Sequence, residues 1–508
     1  MDFTVKDVIH VERYHVFEAH LLKEGKALFY LGEKTYEVHS FQMNESEYAI
    51  RFMPREEGLW RYTVISDNTE ENGKFNCVPN TGNNHGMVHA EGFHFRYDDG
   101  ARYLPFGTTC YAWIHQPEEI QEETLRSLDS APFNKIRMCV FPKHMPYNHN
   151  EPEYFPFGKK ADGTWDVRKP EPRFWQNLEK RIGKLGNMGI EVDLILFHPY
   201  DRWGFSTLSM EECLVYLNYC VARLGGYRNI WWSLANEYDL ITARKTEDWE
   251  TFGRTLVEKD PYHHLISIHH CFTPFPKADW MTHCSMQTGL VRNALLWRKE
   301  YQLPVIIDEC GYEGNIEFGW GNLSAFELVH RCWSAVSSGA YVTHGETFFR
   351  EDEVLWWAKG GVLRGEGVVR LRFLKDLLSG LPQELDPLPS PKWLPNPNES
   401  KPNEGEGAEG IVAALLKMPE AERNRLVLEL RPALVGSPDY RLEYLGRTCP
   451  VFRDLELPET GSYQVDVIDI WDMTCKTAEP DTHGKIRINL PGKEGIAVLV
   501  KRLSSQGL

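Results

Sequence analysis

From about residue 100 the sequence repeats one rhythm: a short apolar run, a polar loop and an amphipathic stretch of helical period. This alternation is typical of βα units, whose strands form a parallel sheet. Eight runs have the composition of strands: Tyr103–Trp113, Lys135–Phe141, Glu191–His198, Asn229–Ala235, Leu265–His270, Trp280–Met286, Val305–Cys310 and Ala340–Thr347. Because a closed (β/α)8 barrel needs eight strands, the sequence predicts an α/β fold of the TIM-barrel class over residues 86–385.

Segments of helical period stand between most of these runs. They are Pro172–Met188, Met210–Leu224, Trp249–Lys259, Val291–Tyr301 and Ala325–Ser338. The fifth and sixth runs are joined only by the short, proline-containing segment Phe272–Asp279, so we expect an irregular crossover there.

Both ends of the chain depart from the βα rhythm. Residues 1–85 contain short alternating segments between turn-forming Asn, Asp and Gly, which predicts an N-terminal β-sandwich. Residues 386–410 are rich in proline and polar side chains, which is typical of a linker. Alternation returns within residues 411–508, at Tyr440–Leu445 and Gly461–Trp471 for example, and predicts a small C-terminal β-sandwich.

Composition narrows the classes of partner. The chain has 73 acidic and 56 basic side chains, a formal net charge of −17, which argues against nucleic acid and anionic membranes. It has no apolar N-terminal leader and no uninterrupted apolar run of spanning length, so we expect a cytoplasmic protein without a membrane partner. The eleven cysteines follow no disulfide framework, which favours free thiols. A P-loop and a dinucleotide fingerprint are absent, and no cofactor is predicted.

Two of the apolar runs end in a carboxylate. The fourth is followed by Asn236-Glu237 and the seventh ends in Asp308-Glu309. The active site of a (β/α)8 enzyme lies at the carboxyl ends of its strands, so we expect both glutamates in one pocket. Retaining glycosidases need two carboxyl groups about 5 to 5.5 Å apart. Either dipeptide alone is better explained as a solvated or salt-bridged strand end, but their joint placement favours catalysis.

This pairing resembles the clan A glycoside hydrolases, in which a glutamate after strand four is the acid/base and one after strand seven is the nucleophile. The resemblance implies these roles for Glu237 and Glu309, and it implies that Asn236 holds the 2-hydroxyl of the sugar. The segment Phe133-Asn134-Lys135-Ile136-Arg137 is similar to a strand-two segment of the clan that supplies an arginine near the nucleophile. Arg137 is therefore expected to keep Glu309 ionised, since a nearby cation favours a charged carboxylate.

Three further stretches resemble a bacterial group of glycoside hydrolases related to the apiosidase-like barrels. They are Arg51-Phe52-Met53-Pro54 with Gly58-Leu59-Trp60, then residues 308–315, and then residues 339–347. This group combines an N-terminal β-sandwich, a barrel and a short C-terminal β-domain, so the resemblance extends over almost the whole chain. It implies the architecture and the catalytic pair without identifying a sugar.

The other strand ends carry polar and aromatic side chains of the kind that bind a polyhydroxylated ligand. The candidates are Trp113, His115, His144, His198, His270, Gln287, Tyr312, His344, Glu346 and Trp356. Each histidine alone is equally well explained as structural, so only the set indicates a sugar site. Glu346 is also a rival carboxylate, because strand eight reaches the same pocket.

The expected reaction is hydrolysis of short oligosaccharides or small glycosides by double displacement. The long aromatic loop Pro142–Pro172 favours a closed pocket and exo action. A non-catalytic carbohydrate-binding protein and a transglycosidase stay open as alternatives, since both could use the same pocket. A carbohydrate is the expected partner, and the two β-domains offer surfaces for a homo-oligomer.

A metal-dependent hydrolase is a further alternative. Seven potential ligands crowd one stretch: His263, His264, His269, His270, Cys271, His283 and Cys284. The HExxH and paired CxxC spacings of zinc sites are absent, so no metal is predicted.

Overall fold

The structure, a computed structural model, describes residues 9–67, 69–388, 408–430 and 432–503. These residues fall into two compact units. The first contains the residues up to Gln287 together with His344–Leu363, and the second contains Thr288–Thr343 and the residues from Arg364 onward. Most of the predicted linker, residues 389–407, lies outside the described residues. The predicted domain boundaries at residues 85, 385 and 410 stay predictions.

The chain begins with two antiparallel sheets that confirm the predicted N-terminal β-sandwich. Their strands are β1 Ile9–Glu12, β2 Phe17–Leu21, β3 Gly25–Leu31, β4 Lys34–His39, β5 Phe41–Asn44, β6 Glu47–Phe52, β7 Gly58–Ser66 and β8 Thr69–Val78. One sheet has the order β1-β8-β7-β3-β4, in which β1 joins in parallel, and the other has the order β2-β6-β5. Aromatic rings fill the space between them, with Phe29 stacked on Phe52 at 4.0 Å and Phe17 on Phe75 at 4.5 Å. Burial of such rings supplies most of the stability of a domain this small.

A small three-stranded sheet lies between the sandwich and the barrel in the sequence. It consists of β9 Val88–Glu91, β10 His94–Tyr97 and β11 Arg102–Tyr103. Phe95 of this sheet packs against Trp231 and His283, with ring centroids 5.4 and 5.7 Å away. Trp231 lies near the start of the fourth barrel strand, so the small sheet covers part of the amino-terminal end of the barrel.

Eight strands form the central sheet and confirm the predicted (β/α)8 class. They are β12 Phe106–Thr109, β13 Lys135–Cys139, β16 Glu191–Phe197, β17 Ile230–Ala235, β18 Ile266–Ser267, β19 Cys284–Gln287, β20 Val305–Glu309 and β22 Tyr341–His344. Their order in the sheet is β18-β17-β16-β13-β12-β22-β20-β19, the cyclic order of a barrel. An isolated parallel bridge between His269 and Ser285 joins the fifth strand to the sixth.

Helices lie in the connections of the barrel. They are α1 Glu118–Asp129, α2 Pro172–Asn187, α3 Met210–Leu224, α4 Thr246–Lys259, α5 Ala294–Tyr301, α6 Ala325–Val336, α7 Trp356–Lys359 and α8 Gly367–Ser379. Helices α2 to α6 correspond to the five segments predicted from their helical period. Helix α3 begins with a capping box between Ser209 and Glu212, which satisfies two otherwise unpaired backbone N–H groups. The segment between β18 and β19, all of it described, contains no helix, so the irregular crossover is confirmed.

The connections carry three short elements of their own. A hairpin of β14 Phe157–Lys159 and β15 Trp165–Pro170 lies in the long loop after the second barrel strand, and β21 Glu313–Gly314 and β23 Glu346–Thr347 follow strands seven and eight. The predicted first strand, Tyr103–Trp113, is divided into β11 and β12. Pro105 lies at the break, where it cannot donate a ladder hydrogen bond.

The carboxyl-terminal part of the second unit confirms the predicted β-domain. Its strands are β24 Asp386–Pro387, β25 Ala433–Gly436, β26 Tyr440–Tyr444, β27 Phe452–Glu456, β28 Tyr463–Asp469, β29 Thr474–Thr482, β30 Lys485–Asn489 and β31 Ile496–Arg502. Six form one sheet, β24-β25-β26-β31-β28-β29, and β27 pairs with β30 over a core that includes Val465, Ile488 and Val498. Two helices, α9 Ala408–Leu416 and α10 Glu420–Leu430, precede this sheet and were not predicted.

Two general expectations can be compared with the described residues. All eleven cysteines lie among them and all are free thiols. None of the helices in the described ranges is long and apolar enough to cross a membrane.

Candidate active site

Asn236 and Glu237 directly follow the fourth barrel strand, where the chain turns sharply. Glu237 has φ 51° and ψ 55°, a left-handed conformation that is uncommon outside glycine. The backbone N–H of Asn236 donates to the carbonyl of Phe197 at 2.9 Å, and that of Tyr238 donates to His269 at 2.9 Å. Backbone strain of this kind costs on the order of 1–3 kcal/mol and persists only where neighbours enforce it, most often at functional sites.

The side-chain amide of Gln287, at the end of the sixth barrel strand, contacts the carboxylate of Glu237. Its Nε2 lies 3.1 Å from Oε1 of Glu237 and 3.1 Å from the carbonyl oxygen of His270. A carbonyl can only accept, so the nitrogen and not the oxygen of the amide must occupy this position. The other carboxylate oxygen, Oε2, is buried and has no hydrogen-bond partner among the described residues. The two oxygens of Glu237 are therefore inequivalent.

Arg137 orients the side chain of Asn236. One terminal nitrogen of its guanidinium donates to Oδ1 of Asn236 at 3.2 Å, and the other donates to Asp193 at 3.0 Å and to Ser285 at 3.2 Å. Because a guanidinium has no acceptor, it selects the oxygen of the amide. The Nδ2 of Asn236 is buried without a partner in the described part of the chain, so its N–H groups are available to a ligand.

Two residues of this network, Asp193 and Ser285, were missed by sequence reasoning. Asp193 is fully buried and also accepts from Lys135 at 2.8 Å. The ladder register places Arg137 opposite Asp193. The sequence did contain a signal, because opposite charges stand at matching positions of two runs that are mostly apolar. Ser285 gave no comparable signal.

A third missed residue, Asp239, fixes the loop that follows the fifth barrel strand. Its carboxylate accepts the backbone N–H groups of Cys271, Phe272 and Thr273 at 2.7, 2.7 and 2.9 Å. Burial opposes ionisation of Asp239, but these hydrogen bonds outweigh burial and lower its pKa. The ring of Phe272 is 79% exposed and therefore offers a face to a ligand.

The predicted histidines are largely neutral at pH 7. Burial lowers the pKa of His115 and His270 to about 4 and that of His198 and His344 to about 3. A neutral imidazole has one donor and one acceptor nitrogen, a combination that suits hydroxyl groups.

Side chains of the first and eighth strands, together with residues that follow the eighth, form a second buried network. The Oγ1 of Thr108 lies 3.1 Å from Nδ1 of His344 and accepts the indole N–H of Trp356 at 2.8 Å. Nε2 of His344 is 3.9 Å from Glu346, a carboxylate that is itself buried. The structure thus brings His344, Glu346 and Trp356 together. Trp113 is also buried, with its indole N–H directed at the sulfur of Met138, 3.1 Å away.

His115 and His144 have different surroundings. His115 stacks on Phe174 at 5.5 Å and lines a cavity of about 340 Å³, whose wall includes Tyr154 but none of the other predicted site residues. His144 is half-buried and contacts His149 through ring nitrogens 3.2 Å apart. Neither contact favours a direct role beside Glu237.

Glu309 and Tyr312 belong to the second unit. Glu309 ends the seventh barrel strand, is 8% exposed, and accepts the backbone N–H of Thr288 at its carbonyl, 2.8 Å away. The preceding Asp308 is fully buried and accepts the hydroxyl of Thr343 at 2.7 Å, which anchors the strand end. The backbone N–H of Tyr312 donates to Trp320 at 2.7 Å, and the indole of Trp320 is 38% exposed.

The stretch rich in histidine and cysteine has structural contacts. His264 pairs with Asp260 at 2.8 Å and with the carbonyl of Tyr227 at 3.0 Å. Within the described ranges, no group of three or more His, Cys, Asp or Glu side chains is arranged to hold a metal ion.

Comparison with protein families divides the chain into three parts. Residues 89–383 match the family described as Apiosidase-like, catalytic domain. Residues 10–67 and 432–501 match two domains of unknown function, DUF5060 and DUF5605. A comparison with curated proteins gave no match.

Solved structures include a similar protein of nearly the same extent. It is a candidate glycoside hydrolase from Bacteroides vulgatus ATCC 8482 that is 34% identical, with a TM-score of 0.84 over 97% of this chain and 100% of the other. A glycoside hydrolase at 13% identity covers 83% of this chain and 98% of its own, with a TM-score of 0.59. A glycoside hydrolase family 5 protein from Bacteroides vulgatus ATCC 8482 at 15% identity covers 83% and 94%, with a TM-score of 0.57. The last two share the fold.

Proposed function

Because the chain belongs to the Apiosidase-like family of glycoside hydrolases, we propose that it hydrolyses glycosidic bonds with retention of the anomeric configuration. Glu237 is the acid/base and Glu309 is the nucleophile. The observation that carries this assignment is the environment of Glu237, a buried carboxylate with one oxygen held by Gln287 and the other unpartnered among the described residues.

The reaction takes two steps. In the first, Glu309 attacks the anomeric carbon, the bond to the leaving oxygen breaks, and Glu237 gives that oxygen a proton. In the second, Glu237 removes a proton from water, the water oxygen attacks the anomeric carbon, and Glu309 is released. Oε2 of Glu237 is suited to carry the proton, since Oε1 already accepts the N–H of Gln287.

The neighbours of Glu237 bind and orient the sugar in this proposal. Asn236 donates its free N–H groups to a sugar hydroxyl, and Arg137 keeps that amide in the donating orientation. Arg137 also supplies positive charge that favours an ionised Glu309. His198, His270, His344 and Glu346 supply further hydrogen-bonding groups, and Tyr312 and Trp356 contribute aromatic surface.

We assign the substrate to short oligosaccharides or small glycosides, cleaved from one end. Support comes from the loop after the second strand, in which the hairpin β14–β15 adds bulk. Phe272 and Phe349 follow strands five and eight and are 79% and 52% exposed, so they can stack on a sugar face.

The test begins with a panel of aryl α- and β-glycosides that includes pyranosides and furanosides. An aryl apioside is included because the family is described as Apiosidase-like. Glu237→Gln and Glu309→Gln are compared with Glu258→Gln, whose side chain is 71% exposed on α4. Loss of an acid/base group costs about 10²- to 10⁴-fold in rate, and loss of the nucleophile at least as much, whereas Glu258→Gln should match the native protein.

Azide separates the two roles. With Glu309→Ala, azide attacks the glycoside directly and gives a product of inverted configuration. With Glu237→Ala, azide captures the glycosyl intermediate and gives a product of retained configuration. Unchanged hydrolysis in both variants, or inversion by the native protein, would overturn the assignment. Binding without turnover would identify a carbohydrate-binding protein, and loss of activity to a chelator would identify a metal-dependent hydrolase.

A further inference from the structure

The second unit contains a cavity of about 580 Å³ that none of the predicted site residues lines. Its wall is formed by the turn at residues 289–293, by helices α6 and α10, and by the C-terminal sheet with the loop after β26. Small-molecule sites typically measure about 300–1,000 Å³. This cavity therefore has room for a ligand the size of a mono- or disaccharide.

Charged side chains in the wall leave an excess of positive charge. Among the described lining residues there are five guanidinium groups and three carboxylates, an excess of two positive charges. They are Arg292, Arg331, Arg425, Arg447 and Arg453, with Glu327, Glu429 and Glu443. His330 adds no charge at pH 7, because burial, aided by Arg331, lowers its pKa. The chain as a whole has a formal net charge of −17, so the charge of the cavity wall is opposite in sign to that of the whole protein.

Two carboxylates in the wall are each shared by two arginines. Glu327 accepts from Arg331 at 2.6 Å and also pairs with Arg447. Glu443 is buried and binds Arg453, with Arg441 4.0 Å away. One carboxylate balances the charge of only one guanidinium, so the sharing of Glu327 by Arg331 and Arg447 accounts for one of the two excess positive charges among the lining residues. Guanidinium groups bind carboxylates and phosphates through two parallel hydrogen bonds.

Apolar side chains form much of the remaining wall. Leu290 and Phe452 are 49% and 43% exposed. Tyr444, which is buried, also lines the cavity, and its hydroxyl lies 2.9 Å from Nδ1 of His330. An inorganic anion would leave this apolar surface without a contact. A ring that carries an anionic group would match both parts of the wall.

We propose that the cavity binds a small organic acid, a carboxylate or phosphate group on a ring no larger than a disaccharide. The oxyanion accepts hydrogen bonds from Arg447 and the neighbouring arginines, and the ring packs on Leu290 and Phe452. The site is separate from the proposed glycosidase chemistry and does not depend on it.

The test is calorimetric binding to the full chain at low salt, with three probes that share a hexose ring: glucuronate, glucose 6-phosphate and glucose. We expect at least one anionic probe to bind, with an affinity that falls as salt is added, and glucose not to bind. Binding of one anionic probe alone identifies the oxyanion. Equal binding of all three, or no binding of either anion up to about 10 mM, overturns the proposal.

Variants locate the site. Arg447→Gln should weaken binding about tenfold or more, because it removes a charged donor. Leu290→Glu should weaken it similarly by adding a carboxylate at an exposed position that folding tolerates. Arg502→Gln is the matched control, since Arg502 is 53% exposed, pairs with Asp439 at 3.7 Å, and does not line the cavity. Native affinity in both cavity variants would place the anion elsewhere and overturn the proposal, whatever the hydrolysis assays show.

Discussion

Nε2 of Gln287 lies 3.1 Å from Oε1 of Glu237, and the carbonyl of His270 holds the same nitrogen at 3.1 Å. The fifth and sixth strands thus fix the carboxylate that follows the fourth. Since the amide can only donate at this position, Oε1 acts as a hydrogen-bond acceptor, and Oε2 is the oxygen that can carry the proton transferred to the leaving group.

Gln287→Leu should therefore impair proton donation more than substrate binding. We expect kcat to fall about 10- to 100-fold for an aryl glycoside with a poor leaving group, which needs the acid. The loss should be much smaller for a dinitrophenyl glycoside, whose leaving group needs little protonation. Gln176→Leu, an exposed change on α2, is the control. Equal losses with both leaving groups would indicate general structural damage instead of a positioning role.

Arg137→Lys should separate charge from geometry. Lysine can still pair with Asp193, but it lacks the fork that reaches Asn236 and Ser285 together. We expect kcat/KM to fall about tenfold or more, since a charge-assisted hydrogen bond that orients Asn236 is lost. Arg168→Lys, at an exposed arginine paired with Glu211, is the control.

A 2-deoxy glycoside provides the second half of this experiment. If Arg137 acts through Asn236 on the sugar 2-hydroxyl, the penalty of Arg137→Lys should largely disappear with a substrate that lacks this group. A penalty of the same size on both substrates would show that Arg137 supports the barrel and not the sugar contact.

The fold could be predicted in outline because each barrel strand is an apolar run between polar loops. Strand lengths could not, because they depend on pairing. The fifth strand contracts from the predicted Leu265–His270 to Ile266–Ser267, since beyond Ser267 its pairing with the sixth strand is an isolated bridge at His269 and not a continuous ladder. Helices α9 and α10 were overlooked because the segment before the C-terminal sheet was treated as one alternating region.

The candidate site was predictable only where a carboxylate ends a strand. Glu237 and Asn236 were found in this way, and Gln287 was placed among the ligand-binding residues. Its contact with Glu237 depends on the distance between two strands that are far apart in sequence, which no local pattern encodes. The clamp at Asp239 was missed for the same reason, since its partners lie 32 to 34 residues away.

Glu191, a buried carboxylate on the third barrel strand, should make stability depend on pH. Burial raises its pKa to about 8, although the indole N–H of Trp231, 3.1 Å away, works in the opposite direction. A folded-state pKa above the unfolded value of about 4.3 means that the native state gains from the proton. This stability is complete below the unfolded pKa and is lost as pH rises to about 8, at no more than about 1.4 kcal/mol per pH unit.

Glu191→Gln removes this titration while keeping an acceptor for Trp231. The variant should gain stability relative to the native protein between pH 5 and pH 8 in denaturant unfolding. Glu258→Gln, at an exposed site, should show no such trend. A difference between Glu191→Gln and the native protein that stays constant across this range would contradict the prediction.

Glu179 on α2 should stabilise the contact between the N-terminal sandwich and the barrel, so its loss should lower the free energy of unfolding. It accepts from Arg51 of the sandwich and from Arg223 of α3, and the three side chains are 9%, 6% and 0% exposed. Burial opposes ionisation, but the two arginines outweigh burial and lower the pKa of Glu179. Its contribution to stability is therefore present above the unfolded pKa and lost as pH falls through the folded value.

Glu179→Gln removes the carboxylate that pairs with the buried Arg223 and leaves Arg51 paired with Glu18 at 2.6 Å. Breaking a buried ion pair in this way typically costs about 3–5 kcal/mol. We expect that loss in denaturant unfolding at pH 7 and a smaller difference from the native protein in acid, where Glu179 itself becomes protonated. Glu211→Gln is the matched control, because Glu211 pairs with Arg168 at 2.8 Å on the surface and its loss should change stability little. Equal stability of the two variants at pH 7 would contradict this prediction and would mean that water screens the charges of Arg51, Glu179 and Arg223. The sandwich would then be held mainly by its aromatic core and by the hydroxyl of Tyr262, which accepts the backbone N–H of Met53 at 2.9 Å.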